Sequence, residues 1–292
     1  MGYPWRSLAT FSFWRYALFS GEALAKLLAV VGALYLFMEI MDFLSIYTRD
    51  KYDKFAIFPM LAVAVLFVVF TRRPVSRVTY KVPSKDYRIE VKIADLFAEP
   101  CDIVISTSTT FDTDVASGLI AKDSLQGQLV MQLFEGKTVE IDRQLGVALK
   151  GVAYTDWQEA PGKKSRYPIG TVAPVRIPGR TFYFVAMSQF NETGTAKSSP
   201  RDIETALESL WEYVTSHGEL RDIAIPLMGT GRGRIALPRN KMVERIAQSF
   251  ADASREKVFS NRLVVVIRPQ DAENHGVSLF EVKDYLARSL HA

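Results

Sequence analysis

The chain has 292 residues, a formal net charge of +4 and 48% hydrophobic residues, and its length suits two domains. Its single cysteine, Cys101, excludes an intrachain disulfide, and three scattered histidines argue against a Cys/His metal site. Residues 1–82 contain ten basic and five acidic residues, whereas residues 83–292 contain 26 and 27. The second part therefore lacks the basic excess of a general nucleic-acid binder, and the lone cysteine is typical of a reducing, cytosolic setting.

Seven aromatic residues occur within the first twenty positions: Tyr3, Trp5, Phe11, Phe13, Trp14, Tyr16 and Phe19. Together with Arg6 and Arg15 they favour one of two interpretations. The segment is either a helix that lies in the headgroup region of a membrane, or an aromatic belt that continues into a first membrane span. Both interpretations stay open at this point.

Two apolar segments follow, Ala23–Leu44 and Phe55–Phe70. A membrane span needs about 20 apolar residues to cross a hydrocarbon core of about 30 Å, so both segments require flanking basic side chains to reach the headgroups. A signal peptide would need a small-residue cleavage site, which does not follow Met38. A buried core helix is the other alternative, but two such runs closed by basic residues favour a transmembrane hairpin.

Basic residues lie on both sides of the predicted hairpin, with Arg6 and Arg15 before it and Arg72 and Arg73 after it. Because basic loops stay on the cytoplasmic side, both chain ends are predicted to lie in the cytoplasm. The sequence therefore predicts a multi-pass protein of the cell inner membrane. Residues 1–77 would form the N-terminal segment and two transmembrane helices, and residues 78–292 a cytoplasmic domain.

From about Val78 onward, short β-rich runs alternate with helical stretches. The predicted strands are Arg88–Ile93, Asp102–Ser106, Gly151–Tyr154, Thr171–Ile177, Thr181–Met187, Asp222–Pro226 and Arg262–Ile267. Capping patterns begin helices at Ser199 and Ser278, and a third helix is expected to start near Pro238. Strands that alternate with helices predict a three-layer α/β/α domain around one sheet.

A glycine loop, Gly229-Thr230-Gly231-Arg232-Gly233-Arg234, directly follows the predicted strand that ends at Pro226. Glycines let successive backbone N–H groups converge on an anion, and the helix start that follows favours negative charge. The two arginines could add charge-assisted hydrogen bonds to a diphosphate. The loop is neither a Walker A motif nor G-x-G-x-x-G, so an ordinary tight turn is nearly as good an interpretation of these residues alone.

Hydroxyl-rich residues, Thr107 to Asp114, follow the predicted strand Asp102–Ser106. Groups of this kind at the carboxyl end of a strand suit ligand binding at the open edge of an α/β sheet. The alternative is a Ser/Thr-rich turn that caps a helix near Thr113. Asp95, just after the first predicted strand, could accept hydrogen bonds from an adenine amino group, or it is a surface turn residue.

Taken in order, Ala94-Asp95-Leu96, Asp102–Thr107, Ile169–Val172 and Ile225–Gly231 resemble the macro domain, a binder of ADP-ribose and its derivatives. The stretches Phe111–Thr113, Ser124–Gln128 and Gly229–Arg234 resemble one branch of that family. This branch is the macro domain that type II Thoeris anti-phage systems attach to two transmembrane helices. The resemblance covers the whole chain and implies a macro-domain-like α/β/α mixed sheet, preceded by an all-α transmembrane hairpin.

The resemblance also implies a ligand site. Asp95 would contact the adenine, Gly229, Thr230, Gly231, Arg232, Gly233 and Arg234 the diphosphate, and Ser106, Thr107, Ser108, Thr109, Phe111, Asp112 and Thr113 the distal ribose. Ser124, Gln126 and Gln128 would lie near the group joined to that ribose. No cofactor or metal is expected.

In one respect the chain departs from macro domains that hydrolyse ADP-ribose links. Those usually carry an asparagine pair in the first loop and a glycine run after it, whereas Ile105–Thr109 and Ser117–Leu119 stand here. No poised histidine, cysteine or carboxylate pair replaces them, which favours sensing without turnover.

The resemblance therefore implies an effector that binds an ADP-ribose-type signal, specifically a histidine conjugate, made by a TIR-domain partner enzyme. Binding would drive self-association and membrane disruption. The alternatives are a membrane-tethered ADP-ribosyl hydrolase and a membrane scaffold without a ligand.

Overall fold

The computed structural model describes residues 14, 17–44, 46, 55, 57–72, 75–191, 195–229 and 237–290. The chain divides into two compact units, residues 1–76 with 272–281 and residues 77–271 with 282–292. Most of the aromatic N-terminal segment, and with it the choice between its two interpretations, lies outside the described residues.

The first unit contains two apolar helices, α1 (Gly21–Phe43) and α2 (Ile57–Thr71), which pack against each other. Ser20 begins α1, because its hydroxyl accepts a hydrogen bond from the Ala23 amide at 3.2 Å. Ala23–Phe43, 21 residues long, is the one described helix that is both long and apolar enough to cross a membrane. The 15 residues of α2 span only about 22 Å at 1.5 Å per residue.

Large apolar side chains on these helices are exposed. They include Leu24, Leu28, Leu36, Phe37, Phe58, Leu66, Phe67 and Phe70. By contrast, α2 buries Met60, Ala64 and Val68, which recur every four residues and so share one face. An apolar surface of this extent is unfavourable in water and is typical of helices covered by lipid or by other protein.

The second unit is built on one mixed sheet. Within the described residues its strands are β1 (Arg77–Lys81), β2 (Arg88–Ile93), β3 (Asp102–Ser108), β6 (Val172–Ile177), β7 (Arg180–Phe190), β8 (Ala196–Lys197), β9 (Ile223–Pro226) and β10 (Arg262–Ile267). Their order is β1-β2-β10-β9-β3-β7-β6, with β8 paired to the end of β7. The five neighbouring strands β2, β10, β9, β3 and β7 are parallel. The edge strands β1 and β6 pair antiparallel with β2 and β7. A separate hairpin joins β4 (Thr155–Asp156) and β5 (Ser165–Arg166).

Helices cover both faces of the sheet. They are α3 (Leu125–Leu133), α4 (Val139–Ala148), α5 (Pro200–His217) and α6 (Arg239–Ala253). The chain also contains α7 (Pro269–Asn274), α8 (Leu279–Ser289) and a 3₁₀ helix at Leu96–Ala98. Alternate residues of β3, Ile103 and Ile105, join one core cluster with Leu129 of α3 and Ile141 of α4. On the other face, α5 contacts β7, α6 contacts β10, and α5 and α6 pack together. The predicted three-layer α/β/α architecture is confirmed.

The cap predicted for α5 is also confirmed. The Ser199 hydroxyl accepts a hydrogen bond from the Asp202 amide at 3.1 Å, and the Asp202 carboxylate accepts one from the Ser199 amide at 2.6 Å. Pro200 occupies the first turn, where its missing N–H costs nothing. At the second predicted cap, the Glu281 amide approaches the Ser278 hydroxyl at 3.5 Å.

One predicted strand needs correction, and one alternative interpretation is excluded. Gly151–Tyr154, predicted as a strand, is a turn and an extended segment, because Gly151 has φ +83° and the Val152 amide bonds back to the Leu149 carbonyl. The helix considered near Thr113 does not form, and the next helix begins at Leu125. The sequence also missed β1, whose burial alternates along an edge strand.

An ionic cluster around the buried Glu90 lies at the amino end of β10, opposite the edge where the parallel strands end. Arg262 bonds the carboxylate of Glu90 at 3.2 Å and that of Asp222 at 2.8 Å, and Arg77 bonds Glu90 at 2.9 Å. The Glu90 side chain is only 1% exposed, so these arginines supply the charge that keeps a carboxylate inside the fold. Beside the cluster, burial raises the pKa of the Cys101 thiol to about 11, so it stays protonated at neutral pH.

Candidate functional site

A cleft of about 480 Å³ runs along the edge where the parallel strands end. Residues that follow or end β2, β3, β7, β9 and β10 line it, together with the segment before α3. Ligands of α/β proteins bind at this edge, because loops leave the sheet there and backbone amides become available. The volume lies within the range of about 300–1,000 Å³ typical of small-molecule sites.

The end of β3 forms the floor of the cleft. Ser106, Thr107 and Ser108, three of the residues predicted to bind a ligand, line it. The Thr107 hydroxyl is buried and has no hydrogen-bond partner among the described residues. It can therefore donate or accept a hydrogen bond at the floor of the cleft. Thr109 is 1% exposed, and its backbone is fixed by the Ser188 carbonyl at 2.8 Å and the Tyr167 amide at 2.9 Å.

Phe111, Asp112 and Thr113 lie behind the wall and are not among the lining residues. Phe111 is fully buried with φ +50°, and its ring packs edge-to-face on Tyr167 at 5.6 Å. The Asp112 carboxylate accepts hydrogen bonds from the hydroxyl of Thr110 and from a backbone amide of the loop after β4. The structure therefore places these three residues where they support the cleft wall.

Lys163, in the loop between β4 and β5, ties this supporting segment together. Its amide donates to the Asp112 carboxylate at 2.7 Å, and its ammonium donates to the Phe111 carbonyl at 2.8 Å. The same ammonium pairs with Asp142 of α4 at 2.5 Å, and Asp142 also accepts from the Thr113 hydroxyl at 2.7 Å. One lysine thus joins the loop after β3 to α4, which fixes the backbone directly beneath the cleft.

Ser124, Gln126 and Gln128 lie at the start of α3. Ser124 lines the cleft and caps the helix, accepting from the Gly127 amide at 3.0 Å. Gln126 also lines the cleft, is 5% exposed, and donates its side-chain amide to the Asp112 carbonyl. The Gln128 side chain instead bonds the Asp123 carbonyl at 2.8 Å and is not among the lining residues.

The remaining predicted residues follow β2 and β9. The Asp95 carboxylate caps the 3₁₀ helix by accepting from the Phe97 amide at 3.1 Å, and the neighbouring Leu96 lines the cleft. Gly229 lines the cleft with φ +66°, a conformation that favours glycine and turns the chain sharply after β9. Thr230, Gly231, Arg232, Gly233 and Arg234 lie outside the described residues.

Sequence reasoning missed other lining residues. Apolar side chains line the cleft between β7 and α3, and they are Leu119, Ile120, Leu125, Met187 and Phe190. Arg268 and Asp271 line it after β10. The rule that ligands bind at the carboxyl ends of parallel strands could have found Arg268, because it directly follows the strand Arg262–Ile267, which the sequence predicted correctly.

Replacing Lys163 by methionine is expected to loosen the loop after β3, because its ammonium bonds both the Phe111 carbonyl and Asp142. Losing a charge-assisted hydrogen bond lowers the local free energy of opening by about 1.5 kcal/mol, which speeds amide exchange about tenfold. Hydrogen exchange should report this increase at residues 109–113 and none in β10. Lys137→Met, which removes an exposed ion pair with Glu135, serves as the control. Equal amide exchange at residues 109–113 in both variants would contradict the role of Lys163 in holding this loop.

Sequence comparisons relate the chain to known proteins. The model of the family described as "Thoeris protein ThsA, Macro domain" matches residues 89–268. Thoeris protein ThsA of Bacillus amyloliquefaciens (strain Y2) is 24% identical over 197 residues, which are 65% of this chain and 64% of that protein.

Among solved structures, an Oceanobacillus iheyensis macrodomain with ADP has 14% identity and a TM-score of 0.43, covering 73% of this chain and 97% of that one. A Trypanosoma brucei macrodomain in complex with ADP-ribose has 11% identity and a TM-score of 0.42, covering 70% and 72%. The family match spans more than half of the chain. The chain therefore belongs to the family of the macro domain of Thoeris protein ThsA.

Proposed function

We propose that this protein is a membrane-anchored receptor of anti-phage defence whose cleft binds an ADP-ribose-type nucleotide. The observation that carries the proposal is the cleft itself, which crosses the carboxyl ends of the parallel strands in a chain of the ThsA macro-domain family. Gly229 begins the loop at the middle of this edge, where converging amides would hold a diphosphate. Ser106 and Ser108 on the adjacent β3 would face the distal ribose.

The proposed activity is sensing without turnover. In support, the described lining residues include no histidine or cysteine, and their carboxylates are Asp123 and Asp271. Asp112, which has the chemistry of a general base, is 3% exposed and already accepts hydrogen bonds from Thr110 and Lys163. A hydrolase would need a group poised to activate water at the bound ribose.

We further propose that the ligand is made by a TIR-domain partner enzyme and is a histidine conjugate of ADP-ribose. Binding would favour an assembled state of the protein, because a ligand shifts an equilibrium through its higher affinity for one state. The apolar helices α1 and α2 would anchor the protein in the cell inner membrane, with the second unit in the cytoplasm. Self-association would then disrupt the bilayer. The chain spans 64% of the length of its curated relative.

Calorimetry on the full-length chain in detergent tests ligand binding. ADP-ribose and its conjugates are expected to release or absorb heat, and the ligand should be recovered intact. If none of them gives heat, the protein is a scaffold without a nucleotide ligand. If ADP-ribose is released from an ADP-ribosylated protein during incubation, the protein is a hydrolase.

Phage challenge tests the defence role. Cells that express the wild-type chain with a TIR-domain partner are expected to arrest on infection, whereas cells with Gly231→Glu should not. The substitution adds a carboxylate to the loop proposed to hold the diphosphate, so like charges would repel. Equal growth arrest in both strains would contradict the role of this loop.

A further inference from the structure

Three charged residues line the described part of the cleft, and they are Asp123, Arg268 and Asp271. Arg268 is therefore the one cation that the described residues place there. It follows Ile267, the last residue of β10, and is exposed toward solvent. The feature of interest is a guanidinium at the edge where an anionic ligand would bind.

The position of β10 in the sheet sets what Arg268 can reach. β10 lies between β2 and β9, and Val266 pairs in register with Pro226 of β9. Neighbouring strands are about 4.8 Å apart, so Arg268 and the start of the glycine loop at Gly229 leave the sheet side by side. A long, flexible side chain at this place can approach a group that is held over Gly229.

The Arg268 guanidinium is unpaired among the described residues. Arg268 makes no hydrogen bond or ion pair with any part of the chain that the structure describes. Asp271 also lines the cleft, but it does not pair with Arg268. By comparison, Arg262 at the other end of the same strand is engaged with Glu90 and Asp222. The Arg268 guanidinium is therefore available to an anionic ligand, and its planar set of donors suits a phosphate.

We infer that Arg268 is a binding residue that pairs with a phosphate of the ligand. This inference rests on the proposed function and adds a residue that the resemblance did not assign. The guanidinium would donate charge-assisted hydrogen bonds to phosphate oxygens. It therefore selects phosphate-bearing ligands over the uncharged nucleoside.

Titrations of the full-length chain in detergent test this inference with three ligands: adenosine, ADP and ADP-ribose. Arg268→Gln is expected to weaken binding of ADP and ADP-ribose about tenfold at low salt and to leave adenosine unchanged. The wild-type affinity should fall as salt is raised, and the variant should show a smaller dependence. Arg268→Lys should keep part of the affinity, since it keeps the charge.

Arg255→Gln is the matched control. Arg255 pairs with Asp252 just after α6, close to the start of β10 at the opposite edge of the sheet, and its removal changes the net charge equally. Control affinities for ADP-ribose should equal those of the wild type. Two results would overturn the inference while the proposed function stands. In the first, the Arg268→Gln variant keeps the wild-type affinity and salt dependence. In the second, the variant loses as much affinity for adenosine as for ADP and ADP-ribose. A wild-type chain that binds none of the three ligands and no ADP-ribose conjugate would overturn the proposed function itself.

Discussion

Replacing Gly127 by alanine is expected to lower both the stability of the second unit and its affinity for ADP-ribose. A Cβ atom at this position would lie 2.1 Å from the Ala121 carbonyl oxygen and 2.9 Å from its carbon. Both atoms belong to the backbone, so the clash cannot be relieved by rotating a side chain. Overpacking of this kind costs about 3 kcal/mol, which corresponds to a fall of about 10 °C in Tm.

The same substitution affects the cleft because Gly127 is buried at its wall. The Gly127 amide donates a hydrogen bond to the hydroxyl of Ser124, which caps α3. Ala121, Ser124 and Gln126 line the cleft. Moving the start of α3 away from Ala121 would displace these lining groups. Thermal unfolding by circular dichroism and calorimetry with ADP-ribose measure the two effects.

Gly146→Ala provides the matched control on the next helix. A Cβ atom there meets nothing within 4 Å, and the position is exposed within α4. Alanine in a helix is more stable than glycine by about 0.5–1 kcal/mol, so this variant should gain stability. The same chemical change is thus expected to have opposite signs at two neighbouring sites. If both variants unfold at the wild-type temperature, the described packing of α3 is wrong.

Replacing Arg262 by methionine is expected to cost about 3 kcal/mol of unfolding free energy. The Glu90 side chain is 1% exposed. After the substitution, Arg77 is the ion-pair partner that remains for Glu90 among the described residues. Breaking a buried ion pair by removing one member is strongly destabilising, because the remaining charge stays out of water. Chemical denaturation of the full-length chain measures the loss.

Two further variants separate this effect from a general loss of charge. Glu90→Met combined with Arg262→Met should recover most of the stability, since replacing both members by apolar groups is often near neutral. Arg245→Met removes an exposed pair with Glu204 and should cost less than about 1 kcal/mol. A loss for Arg262→Met no larger than that for Arg245→Met would show that the cluster does not hold the sheet together.

The sequence predicts much of the fold because its strands have clear patterns. The bounds of β10, a continuous apolar run, and of β2, whose apolar and charged residues alternate, agree with those predicted, and Ser199 caps α5 as expected. Edge strands carry a weaker signal, since only one face of β1 is buried and its residues alternate. The strand predicted at Gly151–Tyr154 was wrong because its apolar residues follow Gly151, which is in the left-handed conformation and forms a turn after helix α4.

The candidate site could be predicted only in part, because side-chain direction depends on partners that are distant in sequence. The segment Ser106–Ser108 continues a strand, so its place on the cleft follows from the sheet. The direction of the Asp112 side chain depends instead on Lys163, 51 positions away, and on a positive φ at Phe111. No local pattern predicts either contact.

A structure of the full-length chain with ADP-ribose tests the central claim most directly. The nucleotide is expected in the cleft, with its diphosphate against the loop that begins at Gly229 and its distal ribose beside Ser106 and Ser108. A ligand bound elsewhere, or a cleft that stays empty at a saturating concentration of ADP-ribose, would contradict it.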